Sequence, residues 1–176
     1  MNRPVPRPAV ERQPLVTFAL GDDLFAVDVQ LVERVLRYVT PTPVPNLPVW
    51  ATGVIEQQGR VVPVIDLRAR FELAEAPDGV DRKLVVFGGA HGWTAAAVDA
   101  VHTVAAVDPA LISPPPPVFR GLAREYLVGV LRDGDRLVMV LDVEQLLSAT
   151  ERIVLAQAVS GAAEHVAAAG AGEGTR

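Results

Sequence analysis

The sequence predicts a mainly β protein assembled from two related halves, and three observations carry that expectation. The stretch GVIEQQGRVVPVIDL, from Gly53 to Leu67, returns as GVLRDGDRLVMVLDV, from Gly129 to Val143. In each copy a glycine opens an apolar run, a polar turn follows, an arginine (Arg60, Arg136) leads a second apolar run, and an aspartate (Asp66, Asp142) stops it. Each copy therefore reads as a β-hairpin. A weaker echo upstream sets Phe18, Val29, Val32 and Val35 against Phe87, Val98, Val101 and Val104. The spacing between copies changes only in the connector before the second hairpin, where LISPPPPVFRGLAREY is longer than TPTPVPNLPVWAT. Connectors are where insertions are tolerated.

The elements follow in order. Residues 1–13 are rich in Pro and Arg without apolar periodicity and read as a disordered arm. LVTFAL and LFAVDV, separated by Gly21-Asp22-Asp23, read as a further hairpin. Val32, Val35 and Leu36 recur at helical spacing in LVERVLRY, which predicts a short helix ended by Pro41. Pro41, Pro43, Pro45 and Pro48 impose an extended crossing to the Gly53 hairpin; the PxxP from Pro45 to Pro48 is read as connector, not as an SH3 ligand. DLRARF offers an Asp N-cap and one helical turn, and a polar loop from Ala76 to Asp81 marks the seam between halves. LVVFGG and GWTAAAV are the matching strands of the second half, with GGAHG as their turn, and Pro114 to Pro117 form a second stiff spacer. Ser148 with Glu151 three residues on is a capping box ahead of Ile153, Leu155 and Val159, so a C-terminal helix is expected over 149–166 and a flexible tail over 167–176.

The hairpins differ where Pro63 corresponds to Met139. Proline cannot donate to a ladder, so the first copy must be at an edge or bulge there, and an accessible edge favours the first half for partner contact.

Composition narrows function. Half of the 176 residues are apolar, enough for a sizeable core, and scarce aromatics predict one of small aliphatic side chains. A net charge of −5 without a basic run argues against nucleic acid. The absence of cysteine removes disulfides, thiolate nucleophiles and cysteine metal sites and favours the cytoplasm. MNRPVPRPAVERQP does not read as a secretory signal, and no apolar run approaches the roughly 20 residues of a membrane span, so no membrane insertion is expected.

Nothing in the chain reads as catalytic or cofactor-binding. His91, His102 and His165 lack metal-ligand spacing. Asp66 and Asp142 resemble an acid/base pair but occupy equivalent strand ends, where capping explains both. GGAHG, Gly88 to Gly92, lacks the lysine and helix of a phosphate loop.

Taken together the residues resemble the CheW family of chemotaxis coupling proteins. The resemblance runs from about Leu15 to Leu147 through LVTFALGDD, VERV, Pro45 and Pro48, GVIEQQGRVVPVIDLRARF, AVDAVHTV, ISPPPP and YLVGVLRDGDRLVMVLDVEQLL. Gly53 with PVIDLR, Pro63 to Arg68, is its most distinctive part. It implies two interlocked five-stranded β-barrels of SH3-like appearance. These fill a CheW-like domain over 14–148, with pseudo-repeated halves at about 15–75 and 84–147. It further implies a non-enzymatic adaptor, without cofactor, that couples the cytoplasmic tip of chemoreceptors to the regulatory domain of a CheA-type histidine kinase, with other CheW-like domains as further partners. By motif the partner-binding positions are Val32, Arg34 and Val35 on the short helix, Gly53, and Gln58 in the first hairpin. The family usually carries an acid at the Arg34 position and an arginine at the Gln58 position. The resemblance places these two close together, so Arg34 and Gln58 are expected to face each other within hydrogen-bond reach or across one bridging water, and the double departure points to a divergent or auxiliary role. Gly53 is expected near a docking surface, where a leucine would disturb binding and spare the fold. The alternative functions are a small-ligand barrel or an oligomerisation module outside chemotaxis.

Overall fold

A computed structural model describes residues 11–117 and 122–170. Ten strands dominate: β1 (Gln13–Leu20), β2 (Asp23–Asp28), β3 (Val32–Arg37), β4 (Ala51–Gln57), β5 (Arg60–Asp66), β6 (Lys83–Phe87), β7 (Thr94–Val98), β8 (Ala100–Val107), β9 (Leu127–Asp133) and β10 (Arg136–Leu141). Three α-helices accompany them, α1 (Leu67–Arg70), α2 (Leu122–Glu125) and α3 (Ala149–Gly170).

The strands form two five-stranded sheets, ordered β8-β1-β2-β10-β9 and β3-β6-β7-β5-β4. The orders are the same sentence with the halves exchanged. Strands β1 and β2 of the first half pair with β8, β9 and β10 of the second, and β6 and β7 of the second half pair with β3, β4 and β5 of the first. The echoed residues meet across this exchange: Phe18 lies opposite Val101 as Val32 lies opposite Phe87, and Val16 opposite Val104 as Val35 opposite Val85. Each sheet curls into an SH3-like barrel, and neither half owns a complete one.

One pair of backbone bridges helps close each barrel. The amide of Thr42 donates to the Val54 carbonyl at 2.8 Å and Val54 returns the bond at 2.9 Å; Ser113 and Val130 do the same at 2.9 and 2.8 Å. Thr42 stands between Pro41 and Pro43, which have no amide to donate, so the connector offers β4 a single two-way contact.

Strand alternation buries both faces of the long strands. Leu15 and Ala19 turn into the first barrel with Leu24, Ala26, Val138 and Val140, and Ile55, Val62, Val64, Leu84 and Val86 fill the second. Val16, Phe18, Leu20, Phe25, Val27, Ile65, Val85 and Phe87 form a third core between the barrels. The barrel interiors are aliphatic, as composition suggested. The junction is not: Phe18, Phe25, Phe71 and Tyr126 run in series with ring centroids 5.4 to 5.9 Å apart.

The short helix expected around Val32 to Leu36 is strand β3. Its residues alternate half-buried and exposed, and β6 supplies a pairing edge along its length. A two-turn helix has little stability of its own, while β-branched valines suit a pleated surface. The arm expected over 1–13 ends earlier, since Gln13 already pairs with Val107; residues 1–10 lie outside the described residues. The capping aspartates act as read: Asp66 accepts from the amides of Arg68 and Ala69, and Asp142 from that of Glu144. Ser148 and Glu151 exchange both bonds of the capping box. Helix α3 runs to Gly170, beyond the expected end at 166, and residues 171–176 of the expected tail lie outside the described residues.

Pro63 sits in β5, between β7 and β4, and pairs with Val54 in regular register, so the expected edge or bulge at this position is not found. The parallel ladder with β7 starts at Val64, whereas in the second copy that with β2 starts at Val138 and includes Met139. Pro63 is left unpaired on the β7 side, and the ladder keeps three pairs by moving toward the end of the strand, to Val64, Ile65 and Asp66.

Because each barrel needs both halves, thermal unfolding is expected to be a single transition, and a fragment ending near Asp81 should not fold. Such a fragment holds β1 and β2 without the rest of their sheet, and β3 separated from β4 and β5 by the missing β6 and β7. Calorimetry showing two resolved transitions would contradict this.

Candidate partner-binding surface

The residues singled out fall on strand β3 and on the β4–β5 hairpin of the second barrel. Strand β3 is an edge, paired with β6 alone. Val32 opens it, half-buried against the inter-barrel core. Arg34 follows at a bulge, opposite Val86, and Val35 is 43% exposed. The opposite edge is β4, joined to β5 by the turn at Gln58 and Gly59. Both turn residues have positive φ, 53° and 72°, the geometry of a tight hairpin whose twist matches its strands.

Arg34 and Gln58 do not face each other as a hydrogen-bonded pair. Among the described residues no hydrogen bond joins them; instead the Arg34 guanidinium lies 5.6 Å from the centre of the Trp93 ring. Arg60, two residues after Gln58, lies 4.5 Å from the same ring. Trp93 is thus the element that gathers β3 and the β4–β5 hairpin into one surface, through two cation–π contacts. The hairpin keeps a positive charge despite Gln58, at Arg60. The Nε of Arg34 is buried, and no described group accepts from it.

Gly53 stands apart from this surface. It is buried in β4, with φ +141°, under the barrel-closing connector. A Cβ there would press into the Thr42 carbonyl oxygen, 2.8 Å from its carbon and 3.2 Å from the Cβ of Pro41. Gly129 repeats the arrangement, with a Cβ 2.5 Å from the Ser113 oxygen and 2.6 Å from Cγ2 of Ile112. The repeated glycine is present because a connector lies on it, so the expectation that leucine would spare the fold at Gly53 is reversed.

Beside Trp93 lies a groove of about 330 Å³ between β5, the β6–β7 turn and α3, with Pro63, Phe87 and Gly88 on one wall and Leu155 and Val159 on the other. Sequence reasoning passed over Trp93 and this groove. Trp93 appeared only as the second residue of the strand GWTAAAV, and nothing local marks the register that aims it at Arg34. No three His, Cys, Asp or Glu side chains cluster as a metal site among the described residues. No helix among them is long and apolar enough to cross a membrane.

The comparisons with known proteins agree with this architecture. A family model described as a CheW-like domain matches residues 14–151. The chain is 31% identical over 155 residues to a chemotaxis protein CheW of Treponema pallidum, covering 85% of this chain and 91% of that one. It is 30% identical over 139 residues to a chemotaxis protein CheW of Klebsiella aerogenes, covering 79% and 84%. Among solved structures, the scaffolding protein TtCheW from Thermoanaerobacter tengcongensis superposes with a TM-score of 0.72 at 26% identity, over 80% of this chain and 95% of its own. The chain belongs to the CheW-like family.

Proposed function

We propose that this protein is a non-enzymatic scaffold of a chemosensory complex, coupling chemoreceptors to a CheA-type histidine kinase, and that its β3 edge with the Trp93 cluster is a partner surface. Membership of the family supports the adaptor role, and its relatives are named as chemotaxis proteins. The observation that carries the surface is the exposed Val35 on an edge strand, beside the guanidinium groups of Arg34 and Arg60 gathered at Trp93. An exposed apolar residue on an unpaired strand edge offers a partner main-chain pairing and apolar burial, and guanidinium groups beside it suit a carboxylate. With Arg60 beside Arg34, the cluster presents positive charge where the family usually pairs an acid with an arginine, which suits an acidic partner and a divergent or auxiliary role.

The test is calorimetric titration of a receptor cytoplasmic tip and of a CheA regulatory domain into wild type, Val35→Glu and Arg34→Glu. Both substitutions are expected to weaken at least one partner tenfold or more without changing the circular dichroism spectrum. Undiminished affinity for both partners in both variants would remove β3 from the interface.

A further inference from the structure

The barrels are copies, so their interiors compare position by position, and three positions differ in bulk. In the second barrel Leu36, Tyr38 and Trp93 pack against the aliphatic core. The register sets Leu15 opposite Ala105 as Leu84 is set opposite Leu36. By the same correspondence Tyr38 matches Val107 and Trp93 matches Leu24. All three first-barrel residues are smaller. Where that bulk is missing there is a cavity of about 460 Å³, open to solvent, with Leu24, Ala105, Val107, Leu131 and Val138 among its walls. Ala105 is exposed although it lines this space, whereas its counterpart Leu36 is half-buried.

The strand along one side of the cavity is also unfinished. Strand β8 is an edge, paired with β1, and no described residue pairs with its other side. Proteins usually blunt such an edge with lysine, proline or a short length. Strand β8 is eight residues of AVHTVAAV with no Lys, Arg, Asp or Glu, and Val104 is 61% exposed. Around the cavity stand Arg12, Arg132 and Arg136 against Asp108 and Asp133, a local positive excess in a chain of net charge −5.

We propose that the first barrel binds an extended segment of a partner protein that adds to β8 and seats one aromatic side chain in this cavity, with acidic residues flanking it to meet the three arginines. The second barrel shows what fits, since it fills the corresponding space with the rings of Tyr38 and Trp93. Strand addition supplies main-chain hydrogen bonds, and a pocket beneath the strand supplies specificity. An aromatic ring is the side chain that buries most surface at such a point. The site uses none of the residues assigned to the β3 surface, so either reading fails without the other.

The experiment is a titration of the full chain, followed by amide NMR and calorimetry, with three probes: the peptide acetyl-EVTWTVE-amide, the same peptide with alanine in place of tryptophan, and N-acetyltryptophanamide. The tryptophan peptide is expected to shift the amides of Leu24, Val104, Ala105 and Leu131, with the other two probes binding at least tenfold more weakly. Ala105→Leu and, separately, Val107→Tyr restore the bulk of the second barrel and are expected to abolish binding while the melting temperature holds or rises. If one filled variant fails to fold, the other decides. No binding of the tryptophan peptide, or equal binding of the alanine peptide, overturns the proposal. Equal binding of the amino-acid amide overturns the part played by β8.

Discussion

Gly53→Ala is expected to cost the fold about 3 kcal/mol, and Gly53→Leu to yield no folded protein. Two effects add. The residue holds φ +141°, where a Cβ is strained, and that Cβ would intrude on the backbone of Thr42, which cannot withdraw without breaking its two bonds to Val54. For a chain of this size about 3 kcal/mol corresponds to a fall in melting temperature of roughly 6 to 12 °C. Gly129→Ala should also destabilise, but less, because Ser113 presses on it as Thr42 presses on Gly53 while its φ lies outside the left-handed region. Gly59→Ala is the control. It also has positive φ, 72°, but a Cβ there meets nothing within 4 Å, so only conformational strain of about 1 kcal/mol is expected. Urea unfolding of the three alanine variants separates these cases. A Gly53→Ala protein as stable as Gly59→Ala would show that the connector yields.

Asp99→Ala is expected to be comparably severe, about 3 kcal/mol, through loss of a charge partner. Asp99 lies between β7 of the second barrel and β8 of the first. Its carboxylate takes the guanidinium of Arg68 at 2.5 and 3.0 Å and the amide of Gly21 at 2.6 Å, so it ties α1 to the β1–β2 turn. Arg68 is only 8% exposed, and its remaining bonds are to the carbonyls of Ala74 and Glu75. Without Asp99 it is a buried cation bonded only to carbonyls, with Asp66 near but not touching its guanidinium. Replacing both partners, Arg68→Met with Asp99→Leu, should cost less than Asp99→Ala alone, since an ion pair removed whole leaves no orphan.

The same pair sets an acid limit. Burial pushes the Asp99 carboxyl up, but the hydrogen bonds from Arg68 and Gly21 and the nearby positive charge outweigh it and hold the group below the usual carboxylate range. The Asp99–Arg68 hydrogen bond likewise raises Arg68. A carboxyl depressed in the folded state contributes stability that is complete above its unfolded value, near 4, and lost as pH falls through the folded value. The gap in stability between wild type and Asp99→Asn should therefore narrow below about pH 4. A gap that stays constant down to full protonation would detach Asp99 from the acid limb.

What was legible in the sequence was mostly what repeats. The hairpins, the capping aspartates and the Ser148–Glu151 box are local patterns whose physics lies within a few residues. Strand β3 was misread because Val32, Val35 and Leu36 fit a helical period as well as a strand, and only pairing with β6 decides between them. The copy AVHTVAAV held the missing signal, since its alternation of β-branched and small residues suits β8 and should have been carried back to β3. Gly53 was legible as a close approach, but the approaching group, Thr42, lies behind a run of prolines whose path no local rule gives. The direct Arg34–Gln58 hydrogen bond is absent for a related reason: Trp93 comes from the other half, and both Arg34 and Arg60 lie against it.

The exchange of strands between halves also governs how such a chain can change over generations. A substitution in β6 is felt by β3, and one in β1 by β8, so compensating changes must be sought across the midpoint of the gene and not beside the original one. The loop between Glu72 and Arg82 keeps the halves at equal dosage but does not define either barrel. Coupled substitutions are therefore expected between β1 and β8 and between β3 and β6, across the two repeats and not within one.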